Sequence, residues 1–498
     1  MKKVILCAVA LLFGTMAFAQ VSGAPEAQVV TPLAGTAGHM NAGESVQNGD
    51  DNAVRVRQAG TENSVYTEQD NGTAGGGNLA RIMQTGDVQA GISAYQNAAE
   101  VLQSGDDNQS TTIQEGDLNN AYTAQGQNNG ASADNKAKIQ QGIGQQAEEN
   151  HAAIEQDGDR NNASTLQIFD NSDAWTRQIG DDNGSMIVQN AGPNGTDGHE
   201  AENFQDGDRN ESSISQQGAG ARNTARAFQT GDDNQAKQWQ TTSSSVTGMG
   251  NRAGIVQGQP AFGGFAFGTV VPTGVALWQE IDATVDPLAN PLNPSSAMSF
   301  GAKAKQTQYG KLNQADILQF GGSVGFSNYA EQMQASGWGN EAGIAQSHEA
   351  VGQKSNYAKQ YQAGDNNDAG LVQEGSGFKA LQDQRGHHND ALSYQTGEDN
   401  LLNIHQRGNY NRATSSQHGL ANAALIVQYG GNSYVAQQNI GLGQNDLSGG
   451  NNQIDALQLG PNGNFDYDAI ECDFEDPMNL DMDYEVPGFD LDPICPDC

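Results

Sequence analysis

Polar and apolar positions alternate along much of this chain, in short runs rather than long stripes. Every second residue from Asn422 reads Asn422, Ala424, Ile426 and Gln428, and from Asn210 it reads Asn210, Ser212, Ile214 and Gln216. In an extended segment residues two apart share a face. Each run therefore predicts a seven-residue strand whose inner face has an amide at each end and small or aliphatic side chains between. A glycine stands two residues after the glutamine, where the chain needs backbone angles closed to other residues. The pattern predicts strand and turn, repeated.

The repeat is strictest in the second half. Gln362, Gln373, Gln384, Gln395, Gln406, Gln417 and Gln428 fall on an eleven-residue ladder, and so do Gly364, Gly375, Gly386, Gly397, Gly408, Gly419 and Gly430. Asn367, Asn389, Asn400, Asn411 and Asn422 hold the first strand position in the same frame. Written out, the unit is Asn-x-Ala-x-x-x-Gln-x-Gly-x-x, as in NRATSSQHGLA from Asn411. The first half carries it with slips: Gln103, Gln114 and Gln125 keep the spacing, whereas NNASTLQIFDN from Asn161 lacks the glycine.

Eleven residues is also close to three helical turns, the period of an undecad coiled coil. A glycine in every period, at about 1 kcal/mol each relative to alanine, and the absence of a continuous apolar stripe argue against it. Two strands and two turns make a coil of about 22 residues, and stacking coils at about 4.8 Å puts like above like, so each inner Asn or Gln amide meets its own kind. The expected fold class is all-β: a β-solenoid of stacked strand-turn-strand coils, two eleven-residue half-repeats per coil, amyloid-like in its cross-β geometry.

This reading accounts for the composition. A chain of 498 residues has 63 glycines and only 6% aromatics, with a mean hydropathy of -0.63, too polar for ordinary globular cores. Buried amides are costly alone, by roughly 1 to 3 kcal/mol, but a ladder supplies each with a partner. The formal charge of -36 argues against nucleic acid and anionic lipid as partners.

The N-terminus, MKKVILCAVALLFGTMAFAQ, has Lys2 and Lys3, an apolar run and the Ala17-Phe18-Ala19 triplet. It reads as a secretory signal cleaved after Ala19, taking Cys7 with it. No later stretch is apolar enough to span a membrane. The chain divides into the signal peptide (1–19), a polar leader (20–49), a first array (50–257), a Gly/Pro/Phe-rich interruption (258–301) that breaks the register, a second array (302–464) and an acidic tail (465–498). The tail holds Cys472, Cys495 and Cys498, read as one disulfide plus a spare thiol, with zinc or redox chemistry at the Cys495–Cys498 pair as the alternative. Acid interleaved with Phe, Tyr, Met and Leu suits either a docking segment or a disordered charged terminus.

Candidate chemistry is sparse. Acidic turns such as Gly105–Asn108, Gly180–Asn183 and Gly231–Asn234 suit calcium by ligand type but lack the nonapeptide roll pattern, and Asp and Asn are ordinary turn formers. Gly321–Gly325 matches Gly-x-Ser-x-Gly without the strand-to-helix context of a nucleophile elbow. His387 and His388 sit in a turn with no other histidine 22 residues away. No catalytic residue, metal site or cofactor is expected, and the chain does not read as an enzyme.

The phrase Gln-x-Gly-x-x-Asn-x-Ala-x-x-x-Gln, seen as QRGNYNRATSSQ from Gln406 and QRGHHNDALSYQ from Gln384, resembles the curlin repeat of bacterial curli subunits. The resemblance implies a secreted subunit that polymerises with itself, and with other curli-like subunits, into extracellular amyloid fibres for biofilm matrix and surface adhesion. It also implies export through an outer-membrane pore, with residues 20–49 directing it. The resemblance carries stacking and templated growth over to the Gln and Asn ladders named above. Three features depart from the family: the chain is several times longer, Asn often fills first strand positions where Ser commonly alternates, and the cysteine-bearing tail has no counterpart. The length is compatible with end-to-end polymers and with a self-contained solenoid. A monomeric β-solenoid adhesin, or a ligand- or ice-binding surface protein, is the alternative, and it predicts a regular outward row of Thr or aromatic residues.

Overall fold

The computed structural model describes residues 41–459, apart from 61, 72–75, 86–96, 128–131, 143–146, 193–197, 219–220, 243–247, 259–297, 323–325, 349–353 and 440–448. The signal peptide, most of the leader, the body of the interruption, Ser323–Gly325, and the tail with Cys472, Cys495 and Cys498 lie outside the described residues. Within them the regular structure is 31 strands and no helix.

The strands form two parallel sheets. The first, of 15 strands, runs from Ala42–Asn48 to Ser433–Gln438; the second, of 16, runs from Ala53–Ala59 to Gln453–Leu459. The chain visits the sheets alternately, so one circuit is strand, turn, strand, turn. The short strand Ala147–Glu148 stands off this path, against Gln109–Asp117. The protein is a parallel β-solenoid.

Register follows the amides. Gln362 pairs with Gln384, Gln384 with Gln406 and Gln406 with Gln428 in the second sheet; Gln373, Gln395 and Gln417 do so in the first. A slip of one residue would turn every inner side chain to solvent. The eleven-residue ladder of the sequence is thus two interleaved ladders, because successive glutamines belong to opposite sheets.

Between the sheets the core is thin and aliphatic. Ala174, Ile187, Ala201, Ile214, Ile317 and Ile344 belong to one buried cluster that takes residues from both sheets. Small residues near the strand start let the sheets approach, and an Ile or Leu in some strands, a small or polar residue in others, fills the space between the amides. Asn422, Ala424, Ile426 and Gln428 are all buried, as are Asn210, Ser212, Ile214 and Gln216.

Two expectations change. The coil is 22 residues where the repeat is strict, as from Gln384 to Gln406, but 24 from Gln205 to Gln229, 31 from Gln125 to Gln156 and 34 from Gln69 to Gln103. The extra residues fall between the strands, outside the ladder, and the ladder bonds persist across them. Nor does the interruption break the register: Lys303–Tyr309 pairs with Gln235–Thr241, Gln240 opposite Gln308, and Gln257 pairs with Gln319 across it. The strands on either side of the insert pair as neighbours in a continuous stack. Residues 42–48, read as the end of the leader, form a strand paired with Ser64–Asp70. The unit there is written Asn41-x-Gly43-x-Ser45-x-Gln47, with Gly and Ser at its Ala and Ile positions.

Candidate functional site: the amide ladders and the stack ends

Each inner glutamine sits near the end of its strand, where side chains from both sheets leave room for an amide but exclude water. Gln362, Gln384, Gln406 and Gln428 are 0% exposed. The Nε2 of each of the first three donates to the next Oε1 at 2.9 Å, and Gln428 donates to Gln458 at 2.7 Å. In the first sheet Gln373, Gln395 and Gln417 donate in the same direction to Gln395, Gln417 and Gln438, each at 2.8 Å.

The same nitrogen bridges the sheets. Gln384 donates to the Asp368 carbonyl at 2.8 Å, Gln406 to that of Asp390 at 2.8 Å and Gln428 to that of Arg412 at 2.9 Å. One primary amide thus bonds along the stack and across it, which an aliphatic side chain of the same volume cannot do. Both N–H groups and the oxygen are used, so burial carries little of the usual polar cost.

The asparagines stand just before the strands and bond the other way along the stack. Asn389 Nδ2 donates to Asn367 Oδ1 at 2.9 Å, Asn411 to Asn389 at 2.9 Å and Asn422 to Asn400 at 3.0 Å. The same oxygens accept the backbone N–H of Asn389, Asn411 and Asn422. Asn367 and Asn389 also donate to the carbonyls of Gly386 and Gly408, both at 2.9 Å, and Asn400 to that of Gly419 at 3.2 Å. Each asparagine thereby fastens its strand start to the turn of the next coil.

The turn glycines complete the unit. Gly364, Gly386, Gly408 and Gly430 in one series and Gly375, Gly397 and Gly419 in the other all have positive φ. Gly386, with φ 121°, also stacks so closely that a Cβ there would lie 2.0 Å from the Gly408 carbonyl oxygen. Where the repeat lacks glycine, Phe169 takes the left-handed angle itself, at φ 68°.

Three features escape the sequence reading. The first is a third ladder, Gln238 to Gln306, Gln332, Gln360 and Gln382, with inter-amide distances of 3.0, 2.9, 2.9 and 2.7 Å. It replaces the aliphatic position and is visible in the sequence as Gln-x-Gln: QWQ, QTQ, QMQ, QYQ and QDQ. The second lies in the acidic turns. Asp181 Oδ1 accepts the Asp159 N–H at 2.9 Å, Asp208 that of Asp181 at 2.9 Å and Asp232 that of Asp208 at 3.0 Å. Arg160 adds a forked ion pair to Asp182 at 2.7 and 2.9 Å, which holds that carboxyl below its ordinary value. These carboxylates serve as turn ladders. Among the described residues no group of three or more His, Cys, Asp or Glu stands ready for a metal ion. His387 Nδ1 accepts the Asp365 N–H at 3.2 Å, while His388 stacks on Tyr410 with centroids 5.0 Å apart.

The third is His199, which occupies an asparagine position of the first sheet. The preceding residue in that ladder is Ser172, whose Oγ accepts the His199 N–H at 3.3 Å, and His199 Nδ1 accepts the Asn223 N–H at 3.3 Å. Burial pushes the imidazole down to about 4, against the pull of its bond to the Asn190 carbonyl. It stands neutral in the stack at pH 7.

Outward positions vary from coil to coil. Three acids, Glu341, Asp368 and Asp390, lie one above another; burial and the like charges of its two neighbours raise Asp368 well above an ordinary carboxyl. Tyr394, though outward, is only 5% exposed and donates to Glu374 at 2.9 Å.

Both described ends of the stack are open edges. Ala42–Asn48 and Ala53–Ala59 pair on one side only, as do Ser433–Gln438 and Gln453–Leu459.

Compared with curated proteins, the chain matches none. Residues 397–430, which hold Asn400, Gln406, Asn411, Gln417, Asn422 and Gln428, match the family model described as Curlin associated repeat, so the unit that builds this stack carries, over that stretch, the repeat of the curlin family.

Proposed function

We propose that this protein is the secreted structural subunit of an extracellular, curli-like amyloid fibre that serves biofilm matrix and surface adhesion. It grows by stacking the open end of one solenoid on the opposite end of another. The observation that carries the reading is the opposed polarity of the two amide ladders. Glutamines donate toward the C-terminal end and asparagines toward the N-terminal end. Among the described residues Gln438 and Gln458 are the last of their ladders, with no further glutamine to receive them, and the Gln47 and Gln58 oxygens at the other end receive none. A head-to-tail junction continues both ladders; a head-to-head junction sets donor against donor. Unpaired strand edges are templates for further strands.

Export through an outer-membrane pore, with the leader as its signal, and copolymerisation with other curli-like subunits belong to the same reading. The test is incubation of the purified mature chain with thioflavin T, followed by electron microscopy and fibre diffraction. Unbranched dye-positive fibres with a meridional reflection near about 4.8 Å are expected. Material that stays monomeric and dye-negative across salt and pH overturns the proposal in favour of a monomeric adhesin.

A further inference from the structure

The two outer faces of the solenoid carry opposite charge over its first coils and again over later ones, although the chain as a whole is strongly acidic. In the first coils, strands Ala42–Asn48, Ser64–Asp70 and Ala98–Ser104 of the first sheet present Glu44, Glu68 and Glu100 outward and contain no Lys or Arg. On the opposite side, strands Ala53–Ala59, Leu79–Thr85 and Lys136–Gln141 present Arg55, Arg57, Arg81, Lys136 and Lys138 and contain no Asp or Glu. The strand between the last two, Gln109–Asp117, carries no cation and two acids near its turn, Glu115 and Asp117.

In the middle coils the picture changes on both faces together. First-sheet acids meet their own arginines: Glu155 with Arg177 at 3.7 Å, Asp173 with Arg222 at 3.3 Å, and Glu202 with Arg226 at 3.2 Å. Of the second-sheet strands at that level, Asn162–Phe169 and Gly184–Gly192 carry no charged residue, and the next two hold one each, Glu211 and Lys237, which leaves that stretch without net charge. Further on, the acids return as the Glu341, Asp368 and Asp390 stack. Cations return on the other face at Lys303 and Lys305 just before that stack and at Lys359 and Lys379 beside it, with Glu331 shared between Lys305 and Lys359 and Asp383 paired to Arg385.

We propose that the two faces are a matched pair, and that solenoids associate side by side with the first-sheet face of one copy on the second-sheet face of the next, parallel and with their coils level. Parallel strands with a common rung spacing of about 4.8 Å keep the acidic stretches of one face level with the basic stretches of the other along the stack. Fifteen coils of seven-residue strands offer roughly 1,500 Å² per partner, well above the about 800 Å² of a standard interface. The contact is heterologous, so it repeats into ribbons rather than closing as a dimer. The neutral middle of the basic face favours a second copy over a polyanion: a polyanion gains from continuous positive charge, whereas a copy whose own acids are already neutralised at that level needs none. This association is lateral and separate from the end-to-end growth proposed above.

The experiment uses the full mature chain and two charge-reversed variants, Arg55→Glu/Arg57→Glu/Arg81→Glu and Glu44→Arg/Glu68→Arg/Glu100→Arg. Sedimentation velocity reads pairing of soluble protein, and electron microscopy reads ribbon width if fibres grow. Wild type is expected to pair at physiological salt and to lose pairing at least about tenfold near 1 M salt. Each variant alone is expected to stay single, and an equimolar mixture to recover pairing, because each then offers the face the other needs. Pairing that ignores salt, a mixture that stays single, or triple variants that pair like wild type overturns the proposal. So does a wild type that stays single but binds a 30-base-pair DNA duplex through Arg55, Arg57 and Arg81, which would make this a polyanion surface. Lateral pairs without fibres would refute end-to-end growth alone, and dye-positive single filaments would refute lateral pairing alone.

Discussion

Replacing Gln406 by Glu changes one nitrogen to oxygen without changing shape, and isolates what the amide does. Gln406 Nε2 donates to the Asp390 carbonyl at 2.8 Å and to Gln428 Oε1 at 2.9 Å, and its Oε1 accepts from Gln384 Nε2 at 2.9 Å. The carboxylate keeps the accepted bond and loses both donors, leaving two buried acceptors facing a buried charge. Each unmet acceptor costs about 1 to 3 kcal/mol, and the charge escapes part of its own penalty by taking up a proton. A local destabilisation of about 4 kcal/mol at pH 7.5 is expected, falling to about 2 kcal/mol at pH 4, where the acid donates once. Arg407→Glu is the control, since its neighbouring side chain points to solvent. Amide hydrogen exchange of residues 379–429 reads local opening in a repeat stack that need not unfold as one unit. Equal protection loss in the two variants at pH 7.5, or a Gln406→Glu defect that does not shrink in acid, would refute the ladder as the source of stability.

Gly386→Ala should destabilise its turn by more than about 3 kcal/mol, because a Cβ 2.0 Å from the Gly408 oxygen adds a clash to an unfavourable φ; faster exchange between residues 384 and 410 would register it. His199→Asn restores the ladder residue. The imidazole is pushed down to about 4, so its contribution is present above its unfolded value near 6.5 and lost as pH falls toward 4, by at most about 3 kcal/mol. The variant should therefore outlast wild type in thermal melts at pH 4.5 by more than at pH 7.5. Burial raises Glu202 to about 7 and Asp316 to about 6. Both contribute stability that is full below their unfolded values and lost as pH rises through the folded ones. Together with Asp368 they should outweigh His199, so mild acid between pH 7 and 5 is expected to raise the melting temperature and shorten the thioflavin T lag.

The strand-turn unit was legible because its two periods are physical. Alternation at two residues marks an inner face, and recurrence at eleven marks a half-coil, so the ladder glutamines, their asparagines and their glycines could be placed from spacing alone. Most of what stayed hidden shares one cause: substitutions that keep the geometry while changing the letter. Gly43 and Ser45 conceal the strand at 42–48, Phe169 conceals a glycine turn, His199 conceals an asparagine rung, and Gln238 stands where the unit expects an aliphatic. The acidic turns were legible as turns, but their carboxylates bond to the coil below rather than simply meeting solvent, and only stacking reveals that. Tyr394, an outward position by count, is covered by its neighbours because a solenoid face packs along the axis as well as through the core.

A polar interior also explains why this chain tolerates such uneven turns. In an aliphatic solenoid the inner contacts are non-directional, and a coil displaced by one rung or rotated slightly still buries much of its surface. Here each coil sets two glutamines and two asparagine-type positions against partners of fixed direction, so a misplaced coil leaves several buried donors unmet at about 1 to 3 kcal/mol each. That penalty exceeds the closure cost of a longer turn, which grows by only about 0.6 kcal/mol for each doubling of length. Coils can therefore lengthen to 34 residues, and across the stretch between Gln257 and Ala302 Gln257 still donates to Gln319 at 2.9 Å. The directional amides hold register, and freedom in the turns is the consequence.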